Sequence, residues 1–460
     1  MVYLGRTRRI HFVGIGGIGM SGIAEVLLNL GFTVTGSDLR RSETTDRLAS
    51  LGASIAFTHR GENVEGADVV VYSSAVTRSN PEIAAAVERA VPAIPRTEML
   101  AELLRLKFAV TVAGSHGKTS TTSLLASVLA HGGLDPTVIV GGKLRALSTN
   151  ARLGGGRYVV AEADESDGQF VQLPSSIAVV TNIDMEHLDY YAGLEEIKDA
   201  FVAYARRVPF YGAVVLCADD ANVSDIAPRI QRRKVTYSLG GSADVSGRVI
   251  ARTPAGTRFA VSHAGAALGE VALGMPGEHY ARNALAAVAV GLEMELPFRV
   301  IREGLESFEG VGRRFEIKGE TPGGVLVVDD YGHHPTEIAA TVRAAVENHG
   351  RRLIVLFQPH RYTRTQAVAE RFAHSFDGAH VVYVTDIYPA GEAPIAGVTA
   401  HTIIERVAAA GTVTVRYAPS IEELVEEVAR AAAPGDMVLT MGAGDIYRAG
   451  DMILERLGGR

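Results

Sequence analysis

A single cysteine, Cys217, is the whole thiol content of this 460-residue chain, so no disulfide can form within it. Cys217 sits in the apolar run Ala213-Val214-Val215-Leu216-Cys217 and reads as a buried strand residue. A chain without disulfides suits a reducing compartment. There is no basic tract either. The formal net charge is −7, which gives nucleic-acid binding no electrostatic support. No apolar run approaches the roughly 18 residues needed to span a bilayer. Arg6, Arg8 and Arg9 are followed by glycine-rich sequence, not by the apolar segment and cleavage site of a signal peptide. The expectation is a cytoplasmic protein with neither nucleic acid nor membrane as a partner. Its length exceeds what one core organises, which points to two or three domains.

What is present centres on Ala109 to Thr122, AVTVAGSHGKTSTT. A β-branched apolar run ends in Gly114-Ser115-His116-Gly117-Lys118-Thr119-Ser120, and a Ser/Thr-rich helical start follows. In that order of strand, loop and helix N-terminus, backbone N–H groups converge on phosphate oxygens and the helix dipole adds positive potential. Lys118 can reach the β- and γ-phosphates, and the Thr119 hydroxyl can ligate Mg²⁺. Val112 stands where the usual phosphate-loop pattern has its first glycine, so this is a variant of that loop.

Upstream, residues 10–38 contain a short strand ending in Gly14-x-Gly16-Gly17-x-Gly19, an amphipathic helix, and a strand from Phe32 to Thr35 leading to Asp38. This is a βαβ dinucleotide fingerprint with its acidic residue. Gly14 serves the turn, Gly16 the approach to a diphosphate and Gly19 helix–strand packing, while Asp38 would meet a ribose hydroxyl. The fingerprint alone fits NAD as well as a UDP-sugar. A further strand, Asp68–Tyr72, ends in Ser73-Ser74-Ala75, and hydroxyls at that edge of an open α/β sheet suit ligand binding. Helices are expected after Asn80-Pro81 and after Arg96.

Beyond residue 106 strands alternate with helical stretches at Arg157–Ala161, Ile177–Thr181 and Ala213–Cys217, the rhythm of a parallel sheet. Two polar segments follow strand ends: Glu162-Ala163-Asp164-Glu165-Ser166-Asp167, and Thr181 to Asp189 with His187. Carboxylates and an imidazole there can complete a metal shell beside a triphosphate, although such runs are also common in solvated loops. Residues 234–274 read as a small antiparallel insertion. The helix from Gly277 carries His279 and Asn283 one turn apart on one face, a spacing that suits either a nucleotide base or solvent. After Arg314 the rhythm restarts with strands at Val325–Val328, Arg352–Phe357, His380–Thr385, Thr412–Tyr417 and Met437–Thr440. Their ends carry Asp329-Asp330-Tyr331-Gly332-His333-His334 and Gln358-Pro359-His360-Arg361-Tyr362-Thr363-Arg364. Arg361 and Arg364 suit a carboxylate or phosphate. His333 and His334 have no other His or Cys close by in sequence, which weighs against a metal pair.

Taken together, these motifs resemble the Mur ligases of peptidoglycan synthesis, across essentially the whole chain and in order. HFVGIGGIGMSGIAEVL is similar to the family's UDP loop and GSHGKTS to its ATP loop. ADESD and TNIDMEHLD resemble its magnesium segments, GEHYARNALAA its adenine segment, and DDYGHHPTE with QPHRYTRT its C-terminal motifs. The resemblance is to the branch that adds L-alanine. It implies a three-domain α/β protein: a Rossmann-like UDP-substrate domain over 1–106, a phosphate-loop ATPase-like domain with a mainly parallel sheet over 107–313, and a Rossmann-like domain over 314–460. It also implies that ATP activates the carboxylate of UDP-N-acetylmuramic acid for attack by L-alanine.

By the same resemblance, Lys118 and Thr119 hold the γ-phosphate and a Mg²⁺, and Glu165 and His187 ligate a second Mg²⁺. His279, Asn283 and Arg314 meet the nucleotide and Asp330 its ribose. Tyr331, His333, Arg361 and Arg364 handle the amino acid, and Gly14, Gly16, Gly17, Gly19, Asp38, Ser73 and Ser74 the UDP-sugar. Relatives that add later residues use a carbamylated lysine beyond the histidine matching His187. Here the neighbourhood Ala200-Phe201-Val202 has none, and Lys198 is out of register. The expected state is a monomer or weak homodimer. Three rivals stand beside this reading: a ligase that recycles a whole tripeptide onto the same UDP-sugar, an NAD-dependent dehydrogenase suggested by residues 10–38 alone, and a nucleotide-sensing regulator that binds ATP without turnover.

Overall fold

The structure, a computed structural model, describes residues 4–73, 76–144, 149–188 and 190–458. Ser74, expected at the substrate edge, and Asp189, in the second polar segment, lie outside the described residues. The chain forms two compact units, one of Met1–Gly247, Val261–Leu268 and Asn283–Glu309, the other of Arg248–Ala260, Gly269–Arg282 and Gly310–Arg460. Among the described residues no helix is long and apolar enough to cross a membrane.

The first unit begins with a parallel sheet in the order Ser54–Ala56, Thr33–Ser37, Arg9–Val13, Val69–Tyr72, Ala93–Pro95. The central strand, RIHFV, is buried from Ile10 to Val13, as befits a strand covered on both faces. Gly14 turns the chain with φ 79°, a left-handed value that glycine adopts without steric cost. Helix Ile18–Asn29 follows at once. Helices Pro81–Glu88 and Arg96–Arg105 start where the sequence predicts; Pro81 suits a first helical position, and the Asn80 side chain caps it by accepting from Glu82 N–H.

The second sheet of this unit is centred on Phe108–Ala113. It pairs in parallel with Ile177–Val180 on one side and Tyr158–Glu162 on the other. Ala213–Cys217 and Lys234–Leu239 extend it one way, and Cys217 is buried as expected. Thr137–Leu144, with Thr149–Arg152 antiparallel beside it, extends it the other way; the sequence reading missed this pair, because Gly141 and Gly142 interrupt the apolar pattern. Lys234–Leu239 also pairs with the start of Val245–Thr253, followed by strands Gly256–His263 and Ala266–Leu273. Ala264 and Gly265 both have positive φ, the turn that closes a two-residue hairpin, so the antiparallel expectation holds for the last two strands of the insertion, whereas Lys234–Leu239 pairs in parallel on both sides.

The arrangement sets the site. Three neighbouring parallel strands end side by side, and their C-terminal ends carry the loop at Gly114, the segment from Glu162 and the segment from Thr181. Both sheets of the unit contribute to one buried cluster, with Ile10, Phe12, Met99 and Leu103 beside Phe170, Phe201 and Tyr204.

The second unit repeats the device. Its sheet runs Glu316–Glu320, Leu326–Asp330, Met437–Met441, Leu353–Phe357, Val381–Val384, Thr414–Tyr417. All pairings are parallel except the first. The antiparallel edge strand is the one element the sequence pattern did not reveal there; EIKGE alternates weakly and is broken by Gly319. Leu326–Asp330, Met437–Met441 and Leu353–Phe357 are neighbours, so residues 329–335, 442–445 and 358–364 share one edge.

A fully buried carboxylate knits the first sheet together. Glu82 accepts hydrogen bonds from Ser37 Oγ (2.6 Å) and Asn63 Nδ2, contacts His59 Nδ1 at 2.9 Å, and lies 3.6 Å from His11 Nε2. Burial pushes its pKa up, but these partners outweigh it and hold the group at about 2, below the ordinary 4.5. A depressed carboxyl contributes stability that is complete above the unfolded-chain value and is lost as pH falls through the folded one. Glu82→Gln is therefore expected to cost on the order of 3 kcal/mol at neutral pH. Urea unfolding should show the gap to the parent closing as pH falls from about 4.5 to about 2; a gap independent of pH would contradict the assignment.

Candidate active site

The phosphate loop is built as the sequence predicts. Strand Phe108–Ala113 stops at Gly114, and helix Lys118–His131 begins after Gly117, whose φ of 79° is left-handed. Neither glycine has room for a side chain: a Cβ on Gly114 would lie 2.0 Å from Thr181 Oγ1, and one on Gly117 would lie 2.8 Å from Asn283 Oδ1. Thus Asn283, 7% exposed, lies against the loop. The loop is braced by the segment after Val180. Thr181 Oγ1 and Asn182 Nδ2 donate to His116 O at 2.7 and 2.9 Å, and Asn182 Oδ1 accepts from His116 N–H at 2.8 Å. Asp184 N–H donates to Ser115 Oγ at 2.8 Å, and the Asp184 carboxylate lies 3.2 Å from His116 Nε2. Part of the segment read as metal-binding therefore shapes the loop. Thr119 and Ser120 are buried in the first helical turn.

Lys118 Nζ donates to Glu165 Oε1 at 2.8 Å and to Gly114 O at 2.7 Å. Burial alone would lower its pKa, but Glu165 and Asp164 more than offset that, and the net shift is upward. For Glu165, 1% exposed, burial pushes the pKa up while Lys118 and His187 pull it lower, and the net shift is downward. The two charges hold each other ionised.

His187 Nε2 lies 3.6 Å from Glu165 Oε1 and 3.9 Å from Glu186 Oε2. Its backbone is left-handed, φ 55°, a conformation a non-glycine residue keeps only when its surroundings require it. Burial lowers its pKa, the neighbouring carboxylates raise it, and the latter prevail. Ligand atoms of Glu165, Glu186 and His187 all lie within 4.8 Å of one another. Glu165 Oε2 is buried with no hydrogen-bond partner, an acceptor suited to a cation. Glu186 lay inside the predicted segment but was not singled out. Lys198, by contrast, pairs with Glu195 and Asp225.

At the glycine-rich loop, Gly14 N–H donates to Ser37 O, and Gly17 caps helix Ile18–Asn29. Asp38 Oδ2 accepts from Gly16 N–H at 2.9 Å, so this carboxylate shapes the loop. Ser73 lies at the neighbouring strand end, its N–H on Val13 O. Gly19 differs from expectation: a Cβ there would meet Arg96 Nη1 at 1.9 Å, so its missing side chain makes room for a guanidinium.

In the second unit Asp330 accepts from Phe315 N–H and Gly332 N–H, both at 2.8 Å. Burial, opposed by Arg314, raises its pKa to about 6. Arg314 lies over the Tyr331 ring and 3.8 Å from Glu337. His279 is kept neutral near pH 7, its pKa lowered to about 3 by burial and by Arg282 and Arg314. Tyr331, His333, His360 and Arg364 come together: the Tyr331 and His333 rings meet edge to face at 5.5 Å, the His333 and His360 rings lie 5.7 Å apart, and Arg364 Nη1 contacts His360 Nδ1 at 3.1 Å. Burial, then Arg364, holds His333 well below its usual pKa and His360 at about 4. Arg361 has φ 70° and caps the following helix, its N–H on Tyr388 O. Sequence reasoning missed His360, which lay inside a quoted motif, and Tyr388, stacked on it at 5.7 Å, which had no motif to mark it.

Removing one partner of a buried ion pair leaves the other uncompensated. Lys118→Met should destabilise the nucleotide-free protein by about 3 kcal/mol, and Lys118→Met/Glu165→Gln should recover most of that loss. Denaturant unfolding of the three proteins checks this. Additive losses would show that the pair does not set the local energetics.

Comparison with known proteins agrees along the whole length. Residues 9–108 match the model of the Mur ligase family, catalytic domain; 112–291 match the Mur ligase middle domain; and 313–444 match the Mur ligase, glutamate ligase domain. A UDP-N-acetylmuramate–L-alanine ligase of Geobacter sp. (strain M21) is 55% identical over 457 residues, covering 98% of both chains. That of Geobacter sulfurreducens is 53% identical over 455 residues, with the same coverage. The crystal structure of UDP-N-acetylmuramate-alanine ligase from Thermotoga maritima superposes with a TM-score of 0.82 at 31% identity, covering 97% of this chain and 98% of that one. A murein peptide ligase from Psychrobacter arcticus shares the fold, with a TM-score of 0.72 at 24% identity over 98% and 99% of the two chains. Three domain matches in order, on a phosphate loop backed by a buried Lys–Glu–His cluster, place this chain in the Mur ligase family.

Proposed function

We propose that this chain is the ATP-dependent ligase that joins L-alanine to the carboxylate of UDP-N-acetylmuramic acid in peptidoglycan precursor synthesis. The observation that carries the reading is the convergence of Lys118, Glu165 and His187 at the phosphate loop, in a chain more than half identical to ligases of that name. A carboxylate at neutral pH resists amines until one oxygen becomes a leaving group. Its oxygen attacks the γ-phosphorus of ATP, ADP departs, and an acyl phosphate forms. The amine of L-alanine then adds to the carbonyl carbon, and the tetrahedral intermediate expels phosphate and a proton to leave the amide.

In this reaction the protein supplies position and charge. Lys118 and the N–H groups of the loop from Gly114 to Thr119 take the phosphates, with Ser115, His116 and Ser120 shaping the loop. Asn283 and the neutral His279 suit the base, with Arg314 and Asp330 toward the ribose and nucleotide. The glycine loop with Asp38 and Ser73 takes the UDP moiety. Arg361 and Arg364 suit the carboxylate of the amino acid, beside Tyr331 and a His333 imidazole that stays neutral and can accept a hydrogen bond from its amine. Thr119, Glu165 and His187, with Glu186 alongside, would hold Mg²⁺; the unpartnered Glu165 Oε2 fits that role. Bound there, the cation supplies charge that offsets the repulsion between carboxylate and triphosphate. The reading divides the chain into domains over 1–106, 107–313 and 314–460. This reading places the enzyme in the cytoplasm as a monomer or weak homodimer.

Phosphate release with ATP, Mg²⁺ and UDP-N-acetylmuramic acid tests the proposal, with L-alanine or the L-Ala-γ-D-Glu-diaminopimelate tripeptide supplied in parallel. Turnover with L-alanine is expected. Turnover with the tripeptide only would assign the chain to the recycling ligase, and silence with both would overturn the reading.

A further inference from the structure

Arg313 precedes Arg314 in the chain but serves a different set of partners, gathered from the strand ends of the second unit. Its guanidinium uses three different nitrogens on three different acceptors. Nε donates to Asp329 Oδ2 at 3.1 Å, Nη1 to Gly444 O at 3.1 Å and Nη2 to Gly442 O at 2.6 Å. Asp329, 1% exposed, accepts on its other oxygen from Thr440 Oγ1 at 2.6 Å. The same guanidinium lies over two rings, with Cζ 5.1 Å from the centre of Tyr331 and 4.7 Å from that of Tyr447, within the range of cation–π attraction. The Arg313 backbone is left-handed, φ 59°. It is held there by its N–H on Glu316 Oε2 at 2.7 Å and by its carbonyl, which accepts from Tyr331 N–H at 2.7 Å.

These contacts reach both halves of the cluster of Tyr331, His333, His360 and Arg364. Tyr331 is held directly, through its main chain and its ring, and that ring meets His333 edge to face. The His360 half is reached through the loop after strand Met437–Met441. A Cβ on Gly444 would lie 2.7 Å from Tyr388 Cγ, so Gly444 packs on the ring that stacks against His360. The same loop holds Gln358, whose Nε2 donates to Asp445 Oδ1 at 2.9 Å and whose Oε1 accepts from Ile446 N–H at 3.2 Å. Gln358 stands just before the His360 segment. By taking the carbonyls of Gly442 and Gly444, the planar fork fixes this loop against Asp329 and Tyr331. A lysine could not do the same, because one ammonium nitrogen does not replace three nitrogens set in a rigid plane.

We infer that Arg313 is a positioning residue for the acceptor half of the reaction: it sets the Tyr331–His333 arm against the His360–Arg364 arm, and so the fit of the incoming amino acid. It acts through these residues rather than on the substrate. The inference rests on the proposed function for the identity of the amino acid and deepens it by naming a residue that orders its site. Reacting groups tolerate little displacement, so loosening the fork should impair use of the amine far more than use of the UDP-sugar.

Steady-state kinetics of the parent, Arg313→Lys, Arg313→Ala and Asp329→Asn, varying L-alanine and UDP-N-acetylmuramic acid in turn, test this. Both arginine variants should raise KM for L-alanine roughly 10- to 100-fold, as the loss of charge-assisted hydrogen bonds implies, with KM for UDP-N-acetylmuramic acid close to that of the parent. Millimolar guanidinium chloride should restore much of the L-alanine KM of Arg313→Ala, because the ion can refill the vacated fork. It should not improve Arg313→Lys, whose side chain still occupies that space. Asp329→Asn removes one anchor and should shift KM in the same direction by a smaller factor; it carries the test where the arginine variants do not fold. A parent-like KM for L-alanine in Arg313→Lys would overturn the proposal. So would equal rises for both substrates without rescue, which would mark a purely structural arginine. A parent that used only the tripeptide would change the functional reading alone, and the same split should then appear in the tripeptide KM. A parent silent with both acceptors would overturn the functional reading and this inference with it.

Discussion

Much of the site depends on one contact, the ion pair between Lys118 and Glu165 beneath the phosphate loop. Either charge alone in that position would be expensive, since a buried ion must be paired and hydrogen-bonded to remain ionised. Together they are held by groups from three neighbouring strand ends: Gly114 O accepts from the ammonium, Asp164 adds negative charge, and His187 approaches the carboxylate. The parallel order of those strands brings the parts within reach, and the left-handed backbone at Gly117 and His187 aims them. An arrangement that stabilises a buried cation beside an unpartnered carboxylate oxygen is preorganised for a polyanion and a cation, the combination phosphoryl transfer requires.

The second unit solves a related problem with neutral groups. Its neighbouring strand ends gather Tyr331, His333, His360 and Arg364, and burial keeps both imidazoles uncharged. Under the proposed function, such a set would divide the tasks of an amino-acid site between an arginine for the carboxylate and neutral nitrogen for the amine. Arg361 differs in kind: it starts a short helix from a left-handed backbone, so its placement is fixed by main chain as much as by side-chain packing.

The sequence made much of this legible for physical reasons. Parallel strands buried on both faces are continuous apolar runs, so Ala213–Cys217 and Met437–Met441 could be read almost to the residue. Loops that bind phosphate need glycine at fixed offsets, so Gly14 and Gly114 to Lys118 stood out. What escaped was of two kinds. Edge elements such as Thr149–Arg152 and Glu316–Glu320 pair on one side only and carry no strong period. Long-range side-chain partners also escaped: Asp38 on Gly16, Asn182 on His116, Arg96 over Gly19, Tyr388 on His360. Those depend on which strands become neighbours, and local spacing does not encode that. Gly19 illustrates the limit, since its position was read correctly while the group it accommodates lies far along the chain.

The central claim is that the Lys118–Glu165 cluster places a carboxylate against the γ-phosphate, so that the carboxylate oxygen itself is phosphorylated. Turnover of UDP-N-acetylmuramic acid labelled with oxygen-18 in its carboxylate tests this most directly, with mass analysis of the phosphate released on adding L-alanine. The account predicts that one labelled oxygen passes into inorganic phosphate at every turnover, because the bond broken in the second step is the acyl carbon–oxygen bond. Phosphate carrying no label would mean that ATP is cleaved by water or activates a different group, and would contradict the account.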